Sequence, residues 1–490
     1  MATAAALGDA LQSCSVTEAE TDSAVICLLD CDDDAVHAVL CWCSLRTLHM
    51  LACLQSRLRL LVQRTLASAA WRSRQPPTML WEAGAFALEA PVHLGGHVAV
   101  RSVALGPTKA HRCAASMVRL GGEIALAVAI SPSGGQVAAT FDDGSIFVGD
   151  LPEQGRNPVG VEAAQEGAGR GSWSRLHDGP VAALAWIAGH RFVTGGADSS
   201  IRQWQSPREG EALECTSVST LPGGEVTALA CADGGPGGPS HAHNHAFSAL
   251  LVSGDNAGML RVWRCFDPRA APSGSTLVER QRLSCARGQS SETPRAGLSA
   301  PSVHAVALAA VPPPDAPSAT AAPATRAPPP VAVVAAVAGG LWVWADHTQP
   351  ALRAFLPSQG EVGALALRGV TLVSVAAASG TLHVWSMARL VAAAEAAAEA
   401  LLPHRQGCDA LLVARPLASL EHAGAEQGGV PTVCSVALSG DERCVVSGAS
   451  DGSLQMFVLD GCSCSCACGH FGAAHDRGAC LPGMTHHDQV

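Results

Sequence analysis

The sequence contains no tyrosine, and only 4% of its residues are aromatic. Its one lysine is Lys109, although arginine is common. Both scarcities, beside abundant Ala, Gly, Arg and Pro, point to nucleotide-composition bias in the source genome rather than to function. With few cations and a net charge of −11, the chain is not expected to take nucleic acid or an anionic membrane as its main partner. Met1 to Glu20 has no basic start and no apolar run, so it does not read as a signal peptide. The longest apolar run, Val331 to Ala345, holds two glycines and is too short to cross a bilayer as a helix. No phosphate loop, Gly-x-Ser-x-Gly or His-Glu-x-x-His string is present, so no enzyme activity is expected. The 19 cysteines are scattered and odd in number. They are expected to be free thiols in a reducing, intracellular compartment, cytoplasmic or nuclear.

What the sequence does have is repetition. An apolar hexad with Ala at its fifth position recurs as Val181-Ala-Ala-Leu184-Ala-Trp186, and again from Val226, Val303, Val362 and Val433. Weaker copies begin at Ala125 and Val100. A second string follows most copies: a polar turn, then alternating apolar residues ending in an aromatic. Its ends are Ile201-Arg-Gln-Trp204, Leu260-Arg-Val-Trp263, Leu341-Trp-Val-Trp344, Leu382-His-Val-Trp385 and Leu454-Gln-Met-Phe457, with a degenerate copy at Ile146 to Asp150. Alternation punctuated by Gly and Asp is strand chemistry. Each unit is a short meander that cannot bury both faces alone, so neighbours must stack.

In the best copy, His177 lies four residues before Val181, Thr194 ten before Trp204, and Asp198 six before it. Once buried, the carboxylate of a tight turn and the indole N–H of a strand both need partners. These units resemble WD repeats, and His177, Thr194, Asp198 and Trp204 match that family's buried network. The resemblance implies a structural role for the four, not a catalytic one. The last copy keeps Ser447 and Asp451, with Phe457 for Trp and no His in the slot. Ala257 and Ser379 occupy the Asp slot elsewhere, so those units are expected to rely on packing.

The resemblance implies an all-β propeller over residues 80–460, with insertions at 232–246, 312–330 and 387–414. Seven blades, the first degenerate, are expected in preference to six. Only residues 106–124 separate Leu105 from Ala125, too few for three strands. The ring is expected to close by pairing an N-terminal strand with the last repeat, which removes free sheet edges. The Ala/Glu-rich segment after Trp385 reads as a short, solvated helix.

Residues 25–75 change period. Val36, Val39 and Leu40 share one helical face, Leu45, Leu48 and Leu51 another, and Leu54, Leu58 and Leu61 a third. Three short helices with an apolar core are expected, after a flexible tail over 1–24. Leu28-Leu29-Asp30, Val39-Leu40, Leu45, Leu48, Ala52-Cys53, Arg57-Leu58-Arg59 and Trp71 together resemble an F-box, without its proline and with Cys31 to Asp33 as extra residues. That resemblance implies a substrate-receptor subunit of a cullin–RING ubiquitin ligase. Leu28, Leu29, Val36, Val39, Leu40, Leu45, Leu48 and Leu51 would bind the F-box-binding adaptor, and the propeller a protein substrate. The alternative is a general WD-repeat scaffold, with the helices as a cap that packs on the propeller or dimerises. His241, His243 and His245 read as a solvated loop. Cys462, Cys464, Cys466 and Cys468, with His470 and Cys480, fall in a tail over 461–490 that lacks clean zinc spacing. No cofactor or metal is expected.

Overall fold

The computed structural model describes residues 36, 37, 40, 48, 56–68, 77–82, 86–88, 92–93, 102–105, 125–150, 171–188, 190–206, 213–222, 224–232, 247–266, 277–286, 301–310, 331–351, 353–377, 379–401, 410–422 and 432–459. Lys109, the three histidines 241, 243 and 245, and the Cys/His-rich tail lie outside them.

Two helices come first, α1 (Ser56–Ala67) and α2 (Pro77–Glu82), then two short strands, β1 (Phe86–Leu88) and β2 (Val92–His93). Four-stranded antiparallel meanders follow. Blade 1 is β3 (Ala125–Ile130), β4 (Gln136–Phe141), β5 (Ser145–Asp150) and β6 (Gly171–Arg175). Blade 2 is β7 (Ala183–Ala188), β8 (Arg191–Gly195), β9 (Ser200–Gln205) and β10 (Glu214–Thr220). Blade 3 is β11 (Val226–Ala232), β12 (Phe247–Asp255), β13 (Met259–Phe266) and β14 (Leu277–Ser284).

Blades 4 and 5 run into one another through β15 (Val303–Ala310), β16 (Val331–Trp344), β17 (Arg353–Arg368), β18 (Thr371–Ala376) and β19 (Thr381–Ser386). The first half of β16 pairs with β15 and the second half with β17. Gly339 and Gly340 sit between the halves at φ values of 85° and 157°, which few side-chain-bearing residues adopt. After β19 come α3 (Met387–Leu401), β20 (Ala410–Leu411) and β21 (Ala418–Glu421), the outermost strand of blade 5. Blade 6 is β22 (Val433–Leu438), β23 (Cys444–Ala449) and β24 (Ser453–Leu459).

The N-terminal strand completes blade 6. β1 pairs antiparallel with β24, placing Phe86 opposite Leu459 and Leu88 opposite Phe457, and β2 pairs with the start of the same strand. This is the expected closure, and it covers an edge that would otherwise be open to other chains.

The innermost strands adjoin in order, β3 to β7, β11, β15, the second half of β17, and β22. The join back to blade 1 differs. There Leu105 is buried with Ala437, Cys444 and Val446 of blade 6. Ser102 Oγ accepts the Val128 N–H of β3 at 3.0 Å. The described strands thus build six blades, and the Val103-Ala-Leu105 copy sits between the last and the first, where a degenerate unit was expected.

Two segments sit differently from expectation. The helix after Trp385 is not merely solvated: Met387, Leu390, Val391 and Ala394 are buried in one cluster with Val334, Leu341, Val343 and Leu356 of blade 4, and Ala398 is buried too. The spacing puts all five on one stripe of α3. In the helical segment, Val36, Leu40 and Leu48 are also buried. They share one cluster with Leu58, Leu61, Leu80 and Trp81 and with Val373, Val384, Val436 and Phe457 of blades 5 and 6. Trp81 Nε1–H donates to Glu442 O at 3.0 Å, tying α2 to blade 6. Leu28, Leu29, Val39, Leu45, Leu51 and Trp71 lie outside the described residues.

Candidate interaction face

The turns between the second and third strands all gather at one end of the ring, beside the start of each innermost strand. Val226, for instance, lies opposite Asp255, where the turn of blade 3 begins. The turn places a positive φ just before the third strand. Gly144, Gly258, Gly380 and Gly452 fill that position in four blades, and Ser199, at 58°, fills it in blade 2.

Blade 2 fixes its turn with the expected network. Trp204 Nε1–H donates to Thr194 Oγ1 at 2.8 Å. Thr194 Oγ1 lies 2.7 Å from His177 Nε2, and His177 Nδ1 lies 3.0 Å from Asp198 Oδ2. The relay is consistent throughout if Thr194 donates to Nε2 and Nδ1–H donates to the carboxylate, a neutral imidazole. Burial pushes the His177 pKa down, against the pull of Asp198. Burial pushes Asp198 up, but hydrogen bonds from Ser200 and His177 more than reverse this and hold its carboxyl well below the ordinary range. Both directions favour neutral His177 beside ionised Asp198.

A second complete network exists in blade 6, where sequence spacing showed no histidine. His422 Nδ1 lies 2.7 Å from Ser447 Oγ, and its Nε2 lies 2.8 Å from Ser453 Oγ. Ser453 in turn donates to Asp451. His422 is eleven residues before Val433, whereas His177 is four before Val181. The longer loop moves the residue out of its usual spacing while the fold returns it to the same slot.

The other blades keep fragments. Trp263 Nε1–H donates to Ser253 Oγ and Trp385 Nε1–H to Ser374 Oγ, each at 2.9 Å. In blade 3, Asp255 accepts the Ala257 and Met259 N–H groups at 3.0 and 2.8 Å, from two residues ahead of the slot that Ala257 fills. It is almost wholly buried beside Arg261, at 3.7 Å, and burial raises its pKa. In blade 5, Ser379 Oγ accepts the Thr381 N–H at 3.3 Å. Blade 4 has Val334 in the hydroxyl slot, and Trp342 and Trp344 Nε1 have no partner among the described residues. Packing holds them: Trp342 sits against Trp344 and Phe355, with the Arg353 guanidinium 4.7 Å above its ring.

The family described as WD domain, G-beta repeat matches residues 174–205 and 415–457. These two segments are similar to WD40 repeats. Among the described residues, the two matched segments are the two that contain a complete His–hydroxyl–Asp network. No curated protein matches the chain. Among solved structures it is similar to the crystal structure of RRP9 WD40 repeats, at a TM-score of 0.42 and 15% identity over 69% of this chain and 77% of that one. It is also similar to the structure of U3-55K, at 0.43 and 15% over 69% and 78%.

Most of the blades share a further device. The innermost strands of blades 1, 3, 4, 5 and 6 each break register at their second residue, leaving Leu126, Thr227, His304, Gly363 and Cys434 as bulges. A bulge releases a residue from the ladder and re-aims its side chain. Thr227 Oγ1 donates to Val303 O of the next blade at 2.5 Å. His304 Nε2 lies 3.2 Å from Glu361 Oε1, across blades 4 and 5. Nothing in the hexad spacing announces these positions as special, because the residue types differ at every copy. Among the described residues, no cluster of His, Cys, Asp and Glu has the makings of a metal site. No helix among them is long and apolar enough to cross a membrane.

Proposed function

We propose that the chain is a protein-binding scaffold whose partner seats on the ring end that carries the turns and the bulged residues. The observation that supports this most directly is the repeated bulge. Four blades present a differing side chain at the same inner position and a fifth presents Gly363, on a frame held by buried networks. Differing residues at equivalent places on one rigid surface suit recognition of a single irregular partner.

The test is a pull-down from native extract with His304→Ala combined with Glu361→Ala. Both side chains are partly exposed, at 28% and 55%. The variant is expected to melt like the parent and to lose proteins that the parent retains. An unchanged set of captured proteins would place the partner elsewhere.

The finer reading, a cullin–RING receptor, needs an apolar helical face free for an adaptor. The burial of Val36, Leu40 and Leu48 with blades 5 and 6 supports a cap on the propeller instead. Co-purification with the F-box adaptor decides between the two: a stable complex that leaves the propeller folded restores the ligase reading.

A further inference from the structure

The outer rim of blade 4 carries a strand that the repeat does not need. After α3 the chain returns to this rim, and β20 pairs in parallel with the first part of β17, Ala354 opposite Ala410 and Phe355 opposite Leu411. Leu412 N–H continues the ladder, donating to Phe355 O at 2.8 Å. Ala410 and Leu412 are buried beneath α3, at 5% and 2% exposure. Their neighbours alternate outward: Leu411 is 65% exposed and Val413 91%. Arg415, two further on, is exposed too. Since Leu412 N–H points at β17, the N–H groups of Leu411 and Val413 point the opposite way, off the sheet.

Outer strands normally carry charge, which discourages another strand from pairing with them. Exposed charges sit on the outer strands of blades 1, 2, 3 and 5: Arg175, Glu214, Arg280 with Arg282, and Glu421. β20 has none. Its outward side chains are Leu411 and Val413, and it is the end strand on this rim among the described residues.

We infer that Ala410–Ala414 is a docking edge for an extended segment of a partner protein, added as an antiparallel strand beside β20. The occupant has apolar residues opposite Leu411 and Val413 and a carboxylate opposite Arg415, the cation on the same outward face. A second copy of this chain fits less well. Two apolar side chains offer far less than the roughly 800 Å² per partner that a stable dimer buries, and a copy would bring a further net charge of −11. The inference is independent of the turn-bearing end proposed above.

The probe is a capped seven-residue peptide with Glu at its second position, Val at its fourth and sixth, and Thr elsewhere. Fluorescence anisotropy with the full chain is expected to show saturable binding. Val413→Pro removes one outward N–H while leaving the Leu412 bond to β17, and is expected to weaken binding roughly tenfold or more. Arg415→Glu is expected to exchange the preference to a peptide with Lys in place of Glu. Far-ultraviolet circular dichroism and the melting temperature check that both variants stay folded. Equal binding to the parent and to folded Val413→Pro overturns the inference. So does a concentration-dependent dimer that Val413→Pro dissolves, which makes a second copy the occupant. So does binding that appears only after deletion of residues 461–490, which makes the chain's own tail the occupant.

Discussion

A single buried hydrogen-bond relay does most to fix the turn of blade 2. Trp204 is fully buried and both stacks on Phe192 and donates to Thr194. Trp204→Ala is expected to cost about 3–5 kcal/mol, the range for removing a large aromatic from a core. Asp198→Ala is expected to cost about 1–3 kcal/mol, because it strands the His177 and Ser200 donors. Chemical denaturation of the two variants checks both figures, and parent-like curves would mean that the relay is not formed. His422→Ala is expected to destabilise blade 6 by a similar amount to Asp198→Ala, read by the same method.

The relay also sets a pH dependence. Folding depresses the His177 pKa, so the folded chain takes up its proton less readily than the unfolded one. The stability this contributes is present above the unfolded value of about 6.5 and is lost as pH falls through the folded value. Asp198, also depressed, loses its contribution only in stronger acid, below an unfolded value of about 3.9. Melting temperature is therefore expected to drop between pH 7.5 and pH 5, and His177→Gln to flatten that slope. The residues of the first relay are legible in the sequence because their spacing is undisturbed. His422 is not, because an intervening loop changes the count without changing the place.

At the scale of elements, α3 shows how a weak pattern gains a role. Its Ala and Glu content reads as a generic helix, and its apolar stripe is mostly small side chains. Blade 4 lacks the polar relay, and the stripe packs against it, adding Leu390 and Val391 to a core otherwise rich in alanine. Leu390→Ala is expected to cost about 2–5 kcal/mol, whereas Glu399→Ala, on the exposed side, should fall within about 0.5 kcal/mol of the parent. Equal melting of the two variants would show that the helix is detached. The strand meanders themselves are legible, since alternation and turn residues encode them locally. The bulges are not, because they carry no common residue.

For the whole molecule, closure is the decisive contact. β1 is 365 residues or more from its partner β24 in the chain, yet it completes the last blade. Trp81 reinforces it from α2 through the Glu442 carbonyl. The Glu442 side chain meanwhile reaches blade 5, where its carboxylate accepts from Thr371 Oγ1 at 2.5 Å. Glu442 itself holds a φ of 61°, unusual for a residue with a side chain, so the junction fixes its backbone. Deleting residues 1–93 removes cap and closing strand together. The truncated chain is expected to melt lower and to aggregate through the exposed edge of β24, as light scattering would report. A truncated chain that stays monomeric with an unchanged melting temperature would show that closure contributes little.

By itself the sequence determined the repeating unit, its strand chemistry, the blade 2 relay and the need for neighbours to stack. All of these depend on residues close together in the chain, where spacing translates directly into geometry. It also implied closure by an N-terminal strand, because a ring without one leaves an edge. Only the tertiary structure decided where the apolar faces of the flanking helices go. An apolar stripe in sequence states that something must cover it, but not what. For Val36, Leu40 and Leu48 the cover is this chain's own blades 5 and 6, and for α3 it is blade 4. Burial is a property of neighbours brought together by folding, and neighbours hundreds of residues apart leave no local mark.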